Sequence, residues 1–374
     1  MRIEEAGANP ARSRHCDRCP RGVESQTLTA VTTSQGLGRI SPERNGENMA
    51  ARRSIACWSV VSAIALVASG CTSTSASDAG QAAAPGFPIT VDNCGVTTTY
   101  ERPPTRAVAL NQHAIEVLLA LGLEDSMVGT SFLDDAILPE YQGAYDRIPV
   151  LADEYPSYEA LLTVEPDFVY GGWDSAFDDK EGRARQRLSD AGINTHLNIE
   201  DCSAEPATMA TVDEEIRTIG EIFGVEERAR HLLDLLHRDL AETAESVNGV
   251  EPVRVAVYDS GEASVFTSGG KGIGNQMIEA AGAVNLFDDV QKVWADVSFE
   301  QFADRAPDVI LIYDYGDESA EQKKAFLTAH PMLAHVPAIV HRRFAVLPLS
   351  SVVVGVRVAK AVDSLARQLH PDRF

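Results

Sequence analysis

Ser157-Tyr158-Glu159-Ala160-Leu161-Leu162-Thr163-Val164-Glu165-Pro166-Asp167-Phe168-Val169-Tyr170 reads against Ser298-Phe299-Glu300-Gln301-Phe302-Ala303-Asp304-Arg305-Ala306-Pro307-Asp308-Val309-Ile310-Leu311 at a constant offset of 141 residues. Each copy carries Ser, an aromatic, Glu, then Pro-Asp seven residues after the Glu, then an apolar run. The chemistry of one copy predicts its conformation. Ser caps a short helix, because its hydroxyl accepts from a first-turn N–H that has no helical partner. Glu sits in that first turn, and Pro ends the segment because it has no N–H to donate. Phe168–Tyr170 and Val309–Tyr313, apolar at every position, read as strands buried on both faces of a parallel sheet.

A second correspondence precedes each copy. Arg106-Ala-Val-Ala-Leu110 leads into an apolar-periodic stretch, Ile115–Leu121, that stops at Gly122. Arg254-Val-Ala-Val-Tyr258 is followed by Asn275–Ala281, which stops at Gly282. Each half therefore reads strand, helix, strand, helix, Pro-Asp-strand, which is α/β organisation. Between the halves, Thr208–Phe223 and Glu226–Val247 space their apolar residues as helices do (Ile216, Ile219, Phe223; Leu232, Leu235, Leu236, Leu240). Val356–Leu369 reads as a closing helix. The expected architecture is two related α/β lobes, 88–204 and 250–374, joined by helices over 205–249, with a ligand crevice between the lobes.

The segment ahead of the lobes has a different character. Residues 1–48 show no periodicity and many Pro and Gly breakers, and read as sequence upstream of a true start at Met49. Arg52-Arg53, the apolar run Ile55–Ala68 and the small-residue exit Ser69-Gly70-Cys71 form an export signal over 49–70, too short to span a bilayer. Val67-Ala68-Ser69-Gly70-Cys71 resembles a lipobox, whose Cys takes a lipid and becomes the new N-terminus. Residues 71–87 then form a Ser/Thr/Ala/Gly-rich tether. The expected location is extracytoplasmic, lipid-anchored to the outer face of the cell membrane.

The whole chain has 374 residues, with 32 Lys+Arg against 55 Asp+Glu. Without residues 1–70 the balance becomes 23 against 49 over 304 residues, a net charge of −26. Such acidity supplies no footprint for phosphate backbones, which excludes nucleic-acid binding as the main role. The same subtraction, with Cys71 taken by the lipid, reduces six cysteines to Cys94 and Cys202. In an oxidising compartment they make one disulfide that staples the two ends of the first lobe, the alternative being two buried free thiols. The upstream pair Cys16 and Cys19 is an isolated CxxC and carries no metal reading.

A lipobox, two α/β lobes, a helical connection and paired Ser-x-Glu…Pro-Asp-apolar units together resemble the helix-linked substrate-binding lipoproteins of ABC importers. Over about residues 88–370, the resemblance implies a monomer that takes up a large chelate and hands it to a transmembrane permease. The leading ligand class is an iron-siderophore, a ferric chelate; cobalamin, haem and a phosphorylated coenzyme precursor are alternatives. It also implies that Glu159 and Glu300, one on each lobe, dock onto basic residues of the permease. No cofactor other than the lipid is implied.

Ligand contacts belong where parallel strands end, in the crevice between the lobes. Strand-end aromatics can stack on a large planar or catecholate ligand, and Arg or Lys can pair with anionic groups on it. The candidates are Trp173, Tyr258, Arg357, His113, Phe132, Lys271 and Trp294. Gly269-Gly270-Lys271-Gly272 lacks the phosphate-loop pattern, and is either an anion-binding helix entry or a plain loop. His113 stands without a second ligand at metal spacing. Asp134-Asp135 and Asp178-Asp179 read as solvated loop charge. No GxSxG, HExxH or assembled triad points to an enzyme. An exported lipid-anchored enzyme and a sensory binding lipoprotein are the competing function classes.

Overall fold

The computed structural model describes residues 84–374. The expectations for 1–48, the signal over 49–70, Cys71 and most of the tether lie outside the described residues.

The first lobe opens with a hairpin of β1 (Ile89–Asn93) and β2 (Val96–Tyr100). Its turn residues Cys94 and Gly95 both have positive φ, 54° and 75°, as a two-residue turn matching strand twist requires. The lobe's sheet follows: β3 (Ala107–Leu110), helix α1 (Gln112–Ala120), β4 (Met127–Ser131), α2 (Pro139–Tyr145), β5 (Val150–Ala152), α3 (Tyr158–Thr163), β6 (Phe168–Gly171), α4 (Arg185–Asp190) and β7 (Asn194–Leu197). The strands lie in the order β5-β4-β3-β6-β7, all parallel.

Helices α5 (Met209–Ile222) and α6 (Glu226–Ser246) carry the chain onward. The second lobe contains β8 (Val253–Tyr258), β9 (Val265–Ser268), α7 (Ile273–Ala280), β10 (Ala283–Asn285), β11 (Trp294–Val297), α8 (Phe299–Asp304), β12 (Val309–Asp314), α9 (Ala320–Ala329), α10 (Pro337–Val340) and β13 (Phe344–Pro348). Helix α11 (Val358–Leu369) closes the chain. The second parallel sheet runs β10-β8-β12-β13, repeating the order β4-β3-β6-β7 of the first. The second lobe also has an antiparallel pair, β9 with β11, without a counterpart among the described residues of the first.

The repeat extends to backbone detail. Ser157 accepts from the Ala160 N–H at 3.1 Å, and Ser298 from the Gln301 N–H at 3.2 Å. Glu165 and Ala306, each just before the Pro, have φ of 44° and 45°. Gly122 and Gly282 sit at φ 66° and 78° where α1 and α7 stop, a conformation costly for any residue with a Cβ.

Alternation along the strands sorts the core. Ala107, Ala109, Phe168 and Tyr170 of the first sheet share one cluster with Val255, Val257, Val309 and Leu311 of the second and with α5, α6 and α11. The opposite faces form separate clusters, Val108, Leu110 and Val169 in the first lobe and Ala256, Ile310 and Ile312 in the second. A dry core common to both sheets resists lobe separation, because opening would expose it. On α6 the buried stripe is Ala229, Leu233 and Leu236, while Leu235 is 36% exposed, a shift from the expected stripe.

Candidate ligand crevice and lobe interface

Aromatic groups follow parallel strands of the first lobe, and in the second lobe an aromatic group on the antiparallel β9–β11 pair packs against Tyr313 of β12. In the first, Phe132 follows β4 and lies 4.6 Å from the ring of Tyr155, whose hydroxyl is held by Asn111 and Ser175. Trp173 follows β6 and meets the imidazole of His113 at 5.1 Å. In the second lobe, Trp294 stacks on Phe266 at 5.8 Å and 18° and meets Tyr313 edge-on at 5.8 Å. Trp173, Phe132 and Trp294 are half-buried, so part of each ring is available to a partner.

His113 is 2% exposed, at the start of α1, and a Cβ on Gly172 would stand 2.4 Å from its ring. Gly172 is thus required by the close approach of imidazole to backbone. Burial holds the His113 pKa down at about 4, against weaker opposing pulls from the Gly172 backbone and Glu215. In this conformation the imidazole backs Trp173 and presents little surface of its own.

Two candidates depart from the expectation. Tyr258 is 1% exposed, shares the strand parity of Ala256 and so faces the outer core of the second lobe, where its hydroxyl donates to Gly261 O. Arg357 lies between the lobes. Its Nε donates to Glu116 Oε2 and its Nη2 to Glu116 Oε1, both at 2.6 Å, with further bonds to Ala136 O and Ser350 Oγ. Lys271 is half-buried, and its Nζ donates to Ala204 O at 2.6 Å across the junction of the first lobe with the helices. The backbone N–H groups of Gly269, Gly270 and Lys271 bond to the 290–293 turn, which takes up the donors an anion would need.

Apart from Glu116, the contacts of the lobe interface have no signature in the linear sequence. Asn198 donates to Val354 O at 2.9 Å, and the Glu200 carboxylate accepts from the N–H groups of Ile273 and Val354 at 2.7 and 2.8 Å. Asp135 is not the solvated charge expected: it accepts from Ser350 Oγ at 2.7 Å and lies 3.4 Å from the Arg357 guanidinium. Asp134 beside it has one carboxylate oxygen buried without a hydrogen-bond partner. Glu116 has one legible signal, a carboxylate amid Ala114-Ile-Glu-Val-Leu-Leu-Ala120, where burial demands a counter-charge.

Cys94 and Cys202 are disulfide-bonded, with Cα atoms 5.5 Å apart. The bond joins the β1–β2 turn to the segment after β7, where Asn93 also exchanges two 2.8 Å hydrogen bonds with the backbone of Leu197. Glu159 and Glu300 are exposed in the first turns of α3 and α8. Among the described residues neither carboxylate has an ion-pair partner or a side-chain hydrogen bond. A cavity of about 310 Å³ lies elsewhere, between α6, α11 and Phe374.

Residues 108–350 match the periplasmic binding protein family. The chain belongs to that family. It is the substrate-binding protein of an ABC transporter, and its relatives are transport proteins rather than enzymes. A crystal structure of a periplasmic binding protein from Veillonella parvula is 31% identical, with a TM-score of 0.71 over 76% of this chain and 97% of that one. An ABC transporter substrate-binding lipoprotein of Bacillus subtilis is 26% identical over 292 residues, 77% of this chain and 87% of the relative. The crystal structure of an ABC-type Fe3+-hydroxamate transport system from Saccharomonospora viridis is 25% identical, with a TM-score of 0.65 over 76% of this binding protein and 99% of that chain. Further relatives at 22 to 27% identity are named vitamin B12-binding or cobalamin-binding proteins. Among the described residues of the binding protein no helix is long and apolar enough to cross a membrane.

Proposed function

We propose that this binding protein captures an iron-siderophore-type chelate between its lobes and delivers it to the permease, with a lipid on Cys71 holding it at the outer face of the cell membrane. One observation carries the ligand class: half-buried aromatic groups stand on both lobes, Phe132 and Trp173 after parallel strands of the first and Trp294 at the start of β11 in the second, where it meets Tyr313 of β12. Rings placed there suit a large ligand with apolar or planar faces better than a bare ion. The likeness to the hydroxamate-transport structure supports the same class. The anchor rests on the lipobox-like segment and on the lipoprotein relative. Glu159 and Glu300, repeated at an offset of 141 residues and both exposed, would face the permease.

A corrinoid is the second reading, favoured by the relatives named for vitamin B12. Tryptophan fluorescence separates the two, because both tryptophans of the described chain, Trp173 and Trp294, lie at strand ends. A ferric trihydroxamate should quench saturably at micromolar concentration or below. Saturable quenching by cyanocobalamin with none by any ferric chelate replaces the first reading with the second. Silence with both rejects the proposal.

A further inference from the structure

Asn248-Gly249 is the one Asn-Gly pair among the described residues, in the turn where α6 hands the chain to β8 of the second lobe. Both residues are exposed, Gly249 has φ 71°, and a Cβ built on it would meet nothing within 4 Å. The backbone around them is tied: the Asn248 N–H donates to Glu245 O and the Val250 N–H to Val247 O, both at 3.2 Å. Among the described residues the Gly249 N–H has no acceptor, and the Asn248 carboxamide has no partner. The peptide carbonyl between the two residues is engaged from the other side. Arg373, next to the last residue of the chain, donates from Nη2 to Asn248 O at 2.8 Å.

These features place a nucleophile beside an electrophile. The Gly249 nitrogen and Cγ of Asn248 are linked through three atoms, so a bond between them closes a five-membered ring. Glycine brings no Cβ to crowd that ring and rotates freely about φ and ψ. Its unbonded N–H is open to base from solvent. Loss of that proton puts negative charge on the oxygen of the same peptide. That oxygen is the one the Arg373 guanidinium contacts, so the cation stabilises the reactive anion. The other described asparagines lack the combination: Asn93, Asn111, Asn198 and Asn285 are buried, and Asn194 and Asn275 precede Thr195 and Gln276.

We propose that Asn248 is a site of self-modification, converted by the Gly249 nitrogen to an aspartyl or isoaspartyl linkage with the assistance of Arg373. Hydroxide takes the Gly249 N–H proton, and the nitrogen attacks Asn248 Cγ. The new C–N bond closes a succinimide; the Cγ–Nδ2 bond breaks, and its electron pair takes a proton from water and leaves as ammonia. Water then adds to one of the two ring carbonyls and breaks its bond to the ring nitrogen, which takes up a proton. The sum is amide plus water giving acid plus ammonia, with no change in oxidation state. Either product places a carboxylate just beyond the C-terminal end of α6, where the helix dipole disfavours it. The isoaspartyl product also adds one backbone atom between Val247 and Val250, which both flank Gly282. The reaction needs no ligand in the crevice.

The test holds the purified full chain at pH 6.5 and at pH 8.5 and maps its peptides by mass spectrometry over weeks. Position 248 should convert roughly tenfold faster than any other asparagine of residues 84–374, as two chromatographic products of one mass, and faster at the higher pH. Asn45-Gly46, outside the described residues, is scored separately. Asn248→Gln should abolish the product, since the longer side chain has to close a six-membered ring. Arg373→Met should slow conversion roughly threefold, and Arg373→Lys should restore it. Aged wild type should unfold at a lower urea concentration than fresh protein, and aged Asn248→Gln should not. Asn248 intact throughout, or intact when another described asparagine has converted, overturns the site. A rate unchanged or raised in Arg373→Met overturns the assistance by Arg373, and aged wild type as stable as fresh refutes the strain at the end of α6.

Discussion

Arg357 and Glu116, 241 residues apart in sequence, meet in a bidentate pair with both N–O distances at 2.6 Å and almost no solvent exposure. The pair fastens the loop before the last helix to the first helix of the opposite lobe.

Its removal has a defined signature. Arg357→Met leaves the Glu116 carboxylate buried without a counter-charge, and stability should fall by about 3–5 kcal/mol. Glu116→Leu combined with Arg357→Met should lose much less, since no buried charge then remains. Urea unfolding of wild type, Arg357→Met, Glu116→Leu and the double variant measures this; a double variant as unstable as the sum of the two singles contradicts a direct pair.

Glu200 gives a pH dependence of known sign. Burial, opposed by its two N–H donors, pushes its carboxyl from 4.5 up to about 7 in the folded chain. Between those values the folded protein holds a proton that the unfolded chain releases, so this contribution declines as pH rises from 4.5 through 7. His113 acts oppositely: held at about 4 by burial against 6.5 unfolded, it contributes stability that is lost as pH falls through that window. Glu200→Gln removes the first effect and keeps the second. The stability of wild type relative to the variant should therefore decrease from pH 5 to 8, by at most on the order of 3 kcal/mol. A flat difference over that range refutes the assignment.

The disulfide closes a loop of 108 residues in sequence separation. Chain-entropy arguments put the value of such a closure at about 4–5 kcal/mol. Cys94→Ser with Cys202→Ser should lower the urea midpoint accordingly while the far-ultraviolet spectrum keeps its mixed α/β form. A midpoint unchanged by the double substitution, or by reduction of wild type, would show that the hairpin is held by Asn93, through its bonds to Leu197 and to the Arg185 guanidinium, which donates to Asn93 O and Oδ1 at 2.9 Å.

Reversing the charge of both repeated carboxylates, Glu159→Lys with Glu300→Lys, should cut uptake in cells more than tenfold and leave ligand affinity of the purified protein within about twofold, because exposed residues away from the crevice change little else. Uptake that survives with binding intact removes permease docking from these positions.

Much of this fold is legible without a structure because it is local. The Ser caps, the Pro-Asp strands and the stop glycines recur at fixed spacing, and β6, β12, α5 and α11 begin and end within two residues of the bounds that spacing predicts. The β9–β11 pair escapes such a reading because it interrupts the repeat, and its short strands carry no strong periodicity. Tyr258 departs from its expected place for a related reason: the end of β8 is legible, but which face its last residue takes depends on strand parity relative to two different cores. Asp135 and Arg357 look like loop charge and ligand contact when each is taken singly, and like a pair only when both are in place.

The sequence by itself determined the repeated unit, the α/β class and the helical connection, since capping, chain breaking and apolar periodicity act over a few residues. Only the tertiary structure decided which charges are available to a ligand. Burial and pairing set the state of a side chain, and the partners of Arg357, Glu200 and Asp135 come from segments that only folding brings together.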